Sequence, residues 1–335
     1  MAKTFVEDPP YIKNQRPGRI DYVGFGLMAV GLATLQLVLD KGQEEDWFSS
    51  SFITGATVFA VAALAAFVVW ELRSGEPIVN LRILKNRNFA VGTMLITAMG
   101  VVLYGSIALL PLFLQTLMGY PATASGMAVS PRGFGSILSM LVVGRLVGRV
   151  DGRYLIMFGF SVLAFSTYML AGLNLDIAMS NVVWPNIISG CAMGFIFVPL
   201  TTMAMGTLPN EQMGNASGVY NLMRNTGGSI GIAAVTTLLS RGAQVHQAAI
   251  SARLTPYDPA FQQRMQQIQG AVAARGGGAA SQQALASVYG TVLRQSMLMS
   301  FVDNFSLLAF LCLLCIPAAL LFKRVRARGG PVAAH

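Results

Sequence analysis

The sequence predicts an all-α polytopic membrane protein with eight transmembrane helices, and three observations lead to that fold class. Of the 335 residues, 54% are hydrophobic and only 11% are charged, whereas a soluble domain has about 25% charged residues. Eight apolar segments are each long enough to cross a bilayer, which takes about 20 helical residues. Basic residues concentrate in alternate connections between these segments, as is typical of membrane proteins.

The composition also excludes several classes of protein. A soluble enzyme of this length needs many more charged residues to cover its surface. Three cysteines are too few for a secreted disulfide scaffold. The net charge of +9 would suggest nucleic-acid binding in a soluble protein, but no basic stripe with interleaved aromatic residues lies outside the apolar segments. We therefore expect no nucleic-acid partner and a lipid bilayer as the surroundings.

The eight predicted spans follow one another along most of the chain. The fourth and seventh are the least apolar, because each contains an arginine and several glycines. In chain order the spans are 20–39, 52–72, 89–114, 122–147, 155–173, 182–205, 216–239 and 297–322.

The distribution of basic residues predicts the orientation. With the N-terminus in the cytoplasm, Lys41 is the one basic residue of the short outside loops, and the inside connections hold most of the others. Residues 1–19 are polar and contain no apolar core of a cleavable signal peptide. We therefore expect a cytoplasmic segment 1–19, a cytoplasmic loop at the end of 20–88 and a basic cytoplasmic tail 323–335.

The connection 240–296 is long and differs in composition from the rest. It is rich in Gln and Ala and is interrupted by Pro256, Pro259 and three glycines at 276–278, a pattern that predicts two amphipathic helices on the periplasmic side. Two interpretations remain open: a solvated hairpin, or a docking surface for a periplasmic adaptor protein.

Prolines and paired glycines inside the spans predict a bundle of bent, closely packed helices. Proline removes a backbone donor that neighbouring helices or water must replace. Glycines four residues apart leave a flat strip where a second helix can approach. The prolines are Pro111, Pro131, Pro185, Pro199 and Pro317, and the glycine pairs are Gly190 with Gly194, Gly214 with Gly218 and Gly227 with Gly231.

Three charged residues inside the spans stand out, because a charge at the bilayer centre costs at least about 2.5 kcal/mol. Arg132 lies near the middle of the fourth span. It either pairs with Asp303 of the eighth span, faces an aqueous cavity where it meets substrate or another carboxylate, or extends toward the membrane surface. Arg224 is flanked by Asn and Gly residues, which favours a structural role in binding helix-end carbonyls at a cytoplasmic gate.

The residue types argue against a membrane enzyme. Catalysis needs a nucleophile with a base, or a metal cluster, and both histidines, His246 and His335, lie outside the spans. Cys312 and Cys315 have no His or Cys partner in a span, so we interpret them as packing residues and expect no metal site. A membrane subunit without transport activity would use the same spans and stays open as an alternative.

Several segments resemble the major facilitator superfamily. Residues 144–153 (GRLVGRVDGR) are similar to its cytoplasmic loop motif G-x-L-a-D-R-x-x-x-R. Gly144, Leu146, Arg149 and Arg153 match that motif, whereas Gly148 stands at the position of its aspartate. Residues 19–24, 39–48, 130–135 and 215–231 further resemble the fourteen-helix drug:proton antiporters of the EmrB/QacA type.

The resemblance implies an architecture of two inserted helices in 20–88 and one six-helix C-terminal half in 89–322. It implies proton-driven export of amphipathic small molecules from the cytoplasmic membrane of a bacterium, with the proton gradient as energy source and no cofactor. The N-terminal six-helix half of the family, which carries acidic residues for proton coupling, has no counterpart in this sequence. We therefore expect a truncated product or one half of a split transporter, with the N-terminal half and an adaptor as partners.

The resemblance also implies a substrate cavity lined by the third, fourth, sixth and seventh spans. The candidate cavity residues are Tyr104, Gln115, Arg132, Asn186 and Phe197. The candidate gate or structural residues are Arg224, Gly227, Gly228, Gly231 and Asp303.

Overall fold

A computed structural model describes residues 21–323 except 76, 256, 258 and 274–279. The predicted segment 1–19 and nearly all of the tail 323–335 therefore lie outside the described residues. The helices are α1 (Tyr22–Lys41), α2 (Ser51–Arg73), α3 (Arg87–Thr116), α4 (Ala122–Val129), α5 (Pro131–Leu146), α6 (Gly152–Ala171), α7 (Ser180–Met205), α8 (Met213–Arg253), α9 (Pro259–Ala273) and α10 (Ala280–Ala318). Short 3₁₀ helices occur at Trp47–Ser49, Leu81–Lys85, Asn210–Gln212 and Ala319–Leu321.

The helices confirm the predicted all-α polytopic class. Seven segments of the described chain are long and apolar enough to cross a membrane, with mean hydropathies from 1.3 for Ala122–Leu146 to 2.4 for Ser51–Arg73. The seventh predicted span, 216–239, is not one of them. Its asparagines, glycines and Arg224 reduce its apolar character, although it forms part of the continuous helix α8.

Contacts between α3 and α8 place this polar segment inside the bundle. Gly100 lies against the backbone of Arg224, Val101 against Gly231 and Gly105 against Val235. Residues further along α3 contact residues further along α8, so the two helices run in the same direction. Because these contacts lie near the middle of α3, α8 runs beside a membrane-spanning helix despite its composition.

The fourth predicted span is divided into two helices. The helix α4 ends at Val129, and α5 begins with Pro131. Proline suits the first position of a helix, since it lacks the N–H that would have no partner there. Ser130 joins the two helices and keeps a backbone hydrogen bond to Gly126 of 2.9 Å, so the break is a local bend and not a loop.

The six-helix part of the bundle has a closed set of packing partners. The helix α3 packs on α8 and α7, α5 on α7, α6 on both α7 and α10, and α8 on α10. Phe113 of α3 and Phe301 of α10 meet edge to face with ring centroids 5.4 Å apart. The hairpin of α1 and α2 lies outside this ring of helices and reaches it mainly through α1 and α8.

Two of the three glycine pairs allow a second helix to approach closely, as predicted. Gly190 and Gly194 of α7 lie against the backbone of α5, and Gly227 and Gly231 of α8 lie against that of α3. The prediction is wrong for the third pair, Gly214 with Gly218, because a Cβ on either residue would meet nothing within 4 Å.

The connection 240–296 differs from the predicted pair of separate amphipathic helices. The helix α8 continues to Arg253 and α10 begins at Ala280, so α9 is the one separate helix between them among the described residues. Alanine and glutamine favour helix. Such residues follow Leu239, where the seventh apolar segment ends, and precede Met297, where the eighth begins. Both helices are therefore longer than their apolar segments: α8 continues beyond the seventh predicted span, and α10 begins before the eighth.

Candidate functional site

Arg132 lies at the first turn of α5 and is buried, with 7% of its surface exposed. Its Nη2 donates a hydrogen bond of 3.1 Å to Oγ of Ser106 on α3. Its Nε and Nη1 have no hydrogen-bond partner in the part of the chain that the structure describes. Leaving buried charged donors unpaired costs several kcal/mol, so this position favours a ligand or partner group that accepts hydrogen bonds.

The predicted alternative of an ion pair between Arg132 and Asp303 is wrong. Asp303 instead contacts His246, with 2.7 Å between its Oδ2 and His246 Nε2. The Asp303 side chain is 65% exposed, whereas Arg132 is buried. Helix packing therefore leaves the arginine without a carboxylate partner among the described residues.

Asn186 lies on α7, the helix that packs against α5. It is fully buried, and its Nδ2 donates to the carbonyl of Val182 at 2.8 Å. Its Oδ1 has no partner in the described chain. Gly190, one turn further along α7, lies against the carbonyl of Arg132. The contact between α5 and α7 thus holds two predicted cavity residues with unused polar atoms.

Phe197 and Arg224 connect α7 with α8. The guanidinium carbon of Arg224 lies 5.4 Å from the centroid of the Phe197 ring, within the range of a cation–π interaction. The predicted contact of Arg224 with helix-end carbonyls is replaced by this ring. Phe197, predicted for the cavity, and Arg224, predicted for the gate, therefore contact each other.

Tyr104 of α3 belongs to the same region. Its ring covers Gly228, one turn from Arg224, and a Cβ on Gly228 would lie 2.5 Å from the ring carbon Cδ2. Gly227 and Gly231 lie equally close to Thr97 and Val101. These glycines let α8 approach α3 closely, which is a structural role.

Gln115 is separate from both groups. It is exposed in the last turn of α3. No hydrogen bond or ring contact within the described part of the chain links it to Arg132 or Phe197, so its assignment to a substrate cavity stays a prediction.

The loop motif lies where α5 turns into α6. Gly144 and Leu146 occupy the last turn of α5, Arg149 the turn itself and Arg153 the first turn of α6. The Asp151 side chain accepts a hydrogen bond from the Arg153 N–H at 3.1 Å and caps α6.

Gly148, at the position of the family's aspartate, has a φ of +96°. Residues with side chains rarely adopt this conformation. The local backbone of this chain therefore suits glycine and disfavours the aspartate.

Three cavities of the described chain lie along the α1–α2 hairpin. One of about 410 Å³ lies between α1, residues 78–79 and the start of α8. A second of about 270 Å³ lies between α1 and α8 and includes Gln36, Asn225 and Ser229. A third of about 320 Å³ separates α1 from α2. None of the five predicted cavity residues lines these three spaces.

Glu71 is a buried charged residue that the sequence reasoning missed. It lies in the second predicted span and is only 2% exposed. Its position one residue before the end of that span made it resemble a boundary charge. The signal that could have found it is its location at the same end of the predicted helix pair as Asp21, the residue that caps α1.

Residues 20–232 match the sequence profile of the Major Facilitator Superfamily. Multidrug export protein EmrB of Escherichia coli strain K12 is 37% identical over 255 residues, which cover 75% of this chain and 49% of that protein. Fatty acid resistance protein FarB of Neisseria gonorrhoeae is 37% identical over 238 residues, covering 71% of this chain and 47% of that protein. Colistin resistance protein EmrB of Acinetobacter baumannii is 26% identical over 292 residues, which cover 87% of this chain and 57% of that protein.

The chain spans about half the length of the curated relatives it matches. The match includes the polar segment of α8 up to residue 232, which agrees with the packing of α8 against α3. Together with the membrane-spanning helices, the matches confirm the resemblance seen in the loop motif: the chain belongs to the Major Facilitator Superfamily and is similar to its EmrB-type multidrug exporters.

Proposed function

We propose that this chain works in the export of amphipathic small molecules across the cytoplasmic membrane of a bacterium, as a transporter and not as an enzyme. The observation that carries the proposal is the buried Arg132, two of whose nitrogens have no partner in the described chain. It lies in a bundle of membrane-spanning helices. The proton gradient is the proposed energy source, with no cofactor and with both termini in the cytoplasm.

The physical reason for this proposal is the kind of ligand that the Arg132 side chain would bind. A guanidinium away from water gains most from a ligand that supplies hydrogen-bond acceptors. Arg132 contacts α3 through Ser106 and α7 through Gly190, and both of these helices are largely apolar and include Tyr104 and Phe197. A molecule with an apolar body and one acceptor group fits both, as is usual for small-molecule sites.

The names of the relatives support the same substrate class. Two are named as multidrug export and fatty acid resistance proteins, and a fatty acid combines an apolar body with a carboxylate. In the proposed mechanism, Arg132 binds the acceptor group of the substrate. Asn186 orients the substrate, and Phe197 contacts its apolar body. A second six-helix half would complete the site, since transporters of this kind bind substrate between two halves. A periplasmic adaptor is the other proposed partner.

The alternative is a membrane subunit without transport activity, or an inactive truncated product. It has the same spans and the same family match. It differs in one measurable property, because it supports no substrate flux in any combination of partners.

The test is an efflux assay in an Escherichia coli strain that lacks its own multidrug exporters. The chain is expressed alone, and also preceded by the N-terminal six-helix half of Escherichia coli EmrB. Accumulation of a fluorescent amphiphile is the measurement, with membrane levels followed by immunoblot. We expect lowered accumulation for the combined protein and abolition of that effect by a protonophore.

The matched variants are Arg132→Ala and Arg145→Ala, on the same helix. Arg145 is exposed and donates to the carbonyl of Leu141 at 3.3 Å, so its loss should leave efflux unchanged. We expect Arg132→Ala to abolish efflux at normal membrane levels. Efflux by Arg132→Ala at the wild-type rate would overturn the cavity role, and absence of flux from every wild-type form would favour the subunit alternative.

A further inference from the structure

A second guanidinium lies in the bundle besides that of Arg132. Arg224 of α8 is partly buried, and its Nε has no hydrogen-bond partner in the described chain. Its guanidinium carbon lies 5.4 Å from the centroid of the Phe197 ring. An aromatic face attracts the positive charge but accepts no conventional hydrogen bond. The ring therefore holds Arg224 against α7 and leaves the Nε–H group to a ligand.

Two contacts between α7 and α8 define the level of Arg224 in the bundle. Phe197 of α7 lies against Arg224. One turn further along α7, Oγ1 of Thr201 lies 3.5 Å from the hydroxyl oxygen of Tyr220, which is one turn earlier on α8. The two helices therefore run in opposite directions. Tyr220 is only 3% exposed, so the side of Arg224 toward the start of α8 is packed.

The helix α7 shows how far the two arginines are separated. The backbone of Arg132 lies against Gly190, and the guanidinium of Arg224 lies against Phe197. A helical rise of 1.5 Å per residue places these two contact points about 10 Å apart. Arg132 is thus nearer to the start of α7, and Arg224 is nearer to its end.

The helix α3 gives the same order and a similar separation. Ser106 of α3 accepts the hydrogen bond from Arg132, and Gly100 lies against the backbone of Arg224. These contact points are about 9 Å apart along the helix. Because α3 runs with α8 and therefore against α7, both helices place Arg132 and Arg224 at two successive depths of the bundle.

The helices around the two arginines supply no carboxylate partner among the described residues. Asp303 is the one acidic residue in α3 to α8 and α10, and it contacts His246. Glu71 belongs to α2, outside this ring of helices, where it accepts a hydrogen bond of 3.4 Å from the N–H of Val79. Two cations without a nearby anion attract a negative ligand and disfavour a positive one.

We propose that Arg224, held by Phe197, is a second binding residue for the substrate group that Arg132 binds, and that this group is anionic. The inference rests on the proposed export function and gives it a substrate class: amphiphiles with a carboxylate or a similar anion at one end. A guanidinium binds a carboxylate through two parallel hydrogen bonds. Because a carboxylate cannot span about 10 Å, it binds one arginine at a time and moves between them along the bundle.

The test measures binding to the full chain in phosphatidylcholine vesicles and needs no transport. The probe is dodecanoic acid with a diazirine near its carboxyl group, used at alkaline pH where the acid is ionised, and mass spectrometry identifies the labelled residues. We expect two groups of labelled residues, one around Gly190 and one around Phe197. Unlabelled dodecanoate should compete about tenfold better than dodecanol or dodecyltrimethylammonium, because neither of these supplies a negative group to the guanidiniums.

Three variants assign the two groups of labelled residues. Arg132→Gln should remove most labelling around Gly190, and Arg224→Gln should remove most labelling around Phe197. Arg241→Gln changes an exposed arginine of α8, so this matched control should leave both groups unchanged. Unchanged labelling around Phe197 in Arg224→Gln, or equal competition by dodecanoate and dodecanol, overturns the proposal.

A further variant covers failure of Arg224→Gln to fold. Phe197→Leu keeps the charge of Arg224 but removes the ring that holds it. We expect labelling around Arg224 to fall severalfold while labelling around Gly190 stays. Equal labelling of both groups in this variant and the wild type overturns the proposal.

The outcome can be separated from that of the proposed function. Selective binding of dodecanoate without flux from any wild-type form supports the second binding residue and contradicts the proposed export. Equal flux of dodecanoate and dodecyltrimethylammonium supports export and overturns the anionic substrate class.

Discussion

His246 of α8 and Asp303 of α10 meet with 2.7 Å between Nε2 and Oδ2. The two residues are 57 positions apart in the chain, and their contact joins the two longest helices of the bundle. Asp303 therefore has a different contact partner from the membrane-embedded Arg132, whose Nη2 donates to Ser106.

Asp303→Asn is expected to leave Arg132-dependent efflux intact. The Asp303 side chain of the pair is 65% exposed, and ion pairs open to solvent contribute about 0 to 1 kcal/mol to stability. The measurement combines efflux with thermal unfolding in detergent for Asp303→Asn, Arg132→Ala and the double variant. Residues without contact act additively, so the change in unfolding temperature of the double variant should equal the sum of the two single changes. A loss of efflux from Asp303→Asn would contradict the prediction, and a non-additive unfolding temperature would show that the two charges cooperate.

Gly231→Ala should destabilise the contact of α3 with α8. The added Cβ would lie 2.7 Å from Cα of Val101, and because that atom belongs to a helix backbone, one helix must shift. Overpacking of this kind costs about 1 to 3 kcal/mol. Gly214→Ala, on the same helix but with open space around it, is the control and should unfold at the wild-type temperature or above. Equal stability of the two variants would contradict the close approach.

Gly148→Asp restores the family's aspartate to the loop motif but should not improve the protein. The φ of +96° at this position costs a residue with a side chain about 1 to 3 kcal/mol. We expect a lower unfolding temperature and no gain in efflux for the combined protein of the proposed assay. Gly144→Asp adds the same charge within α5, where there is open space, and separates strain from charge. A stabilised Gly148→Asp variant would show that the turn rearranges freely.

Trp47→Phe should loosen the α1–α2 connection from α8. Trp47 Nε1 donates to Oγ1 of Thr237 at 3.1 Å, and Asp46 and Trp47 both have a positive φ, of 54° and 51°. A strained backbone persists only when its surroundings hold it, and this hydrogen bond is one such restraint. Hydrogen exchange in residues 42–50 is the measurement, and we expect it to accelerate.

The control for that prediction is Trp184→Phe, since Trp184 is 61% exposed on α7. It should leave exchange in residues 42–50 unchanged. Identical exchange in the Trp47→Phe variant and the wild type would mean that other contacts hold the loop.

The transmembrane architecture is largely predictable from the sequence, whereas the limits of α8 and α10 are not. Hydropathy marks where a helix leaves the apolar layer, but not where it ends, and Ala- and Gln-rich segments continue as helix to Arg253 and from Ala280. The polar segment around Arg224 shows the opposite case. Its composition falls short of a span, and its contacts with Gly100 and Val101 of α3 place it in the bundle.

Composition and charge order are sufficient for the membrane class, the sequence of spans and the family motif, because each of these is a property of neighbouring residues and their exposure to lipid or water. The partners of Arg132, Arg224, Asp303 and Glu71 depend on helix packing between distant parts of the chain. For this reason the chemistry of the buried charges follows from the folded bundle and not from their positions in the sequence.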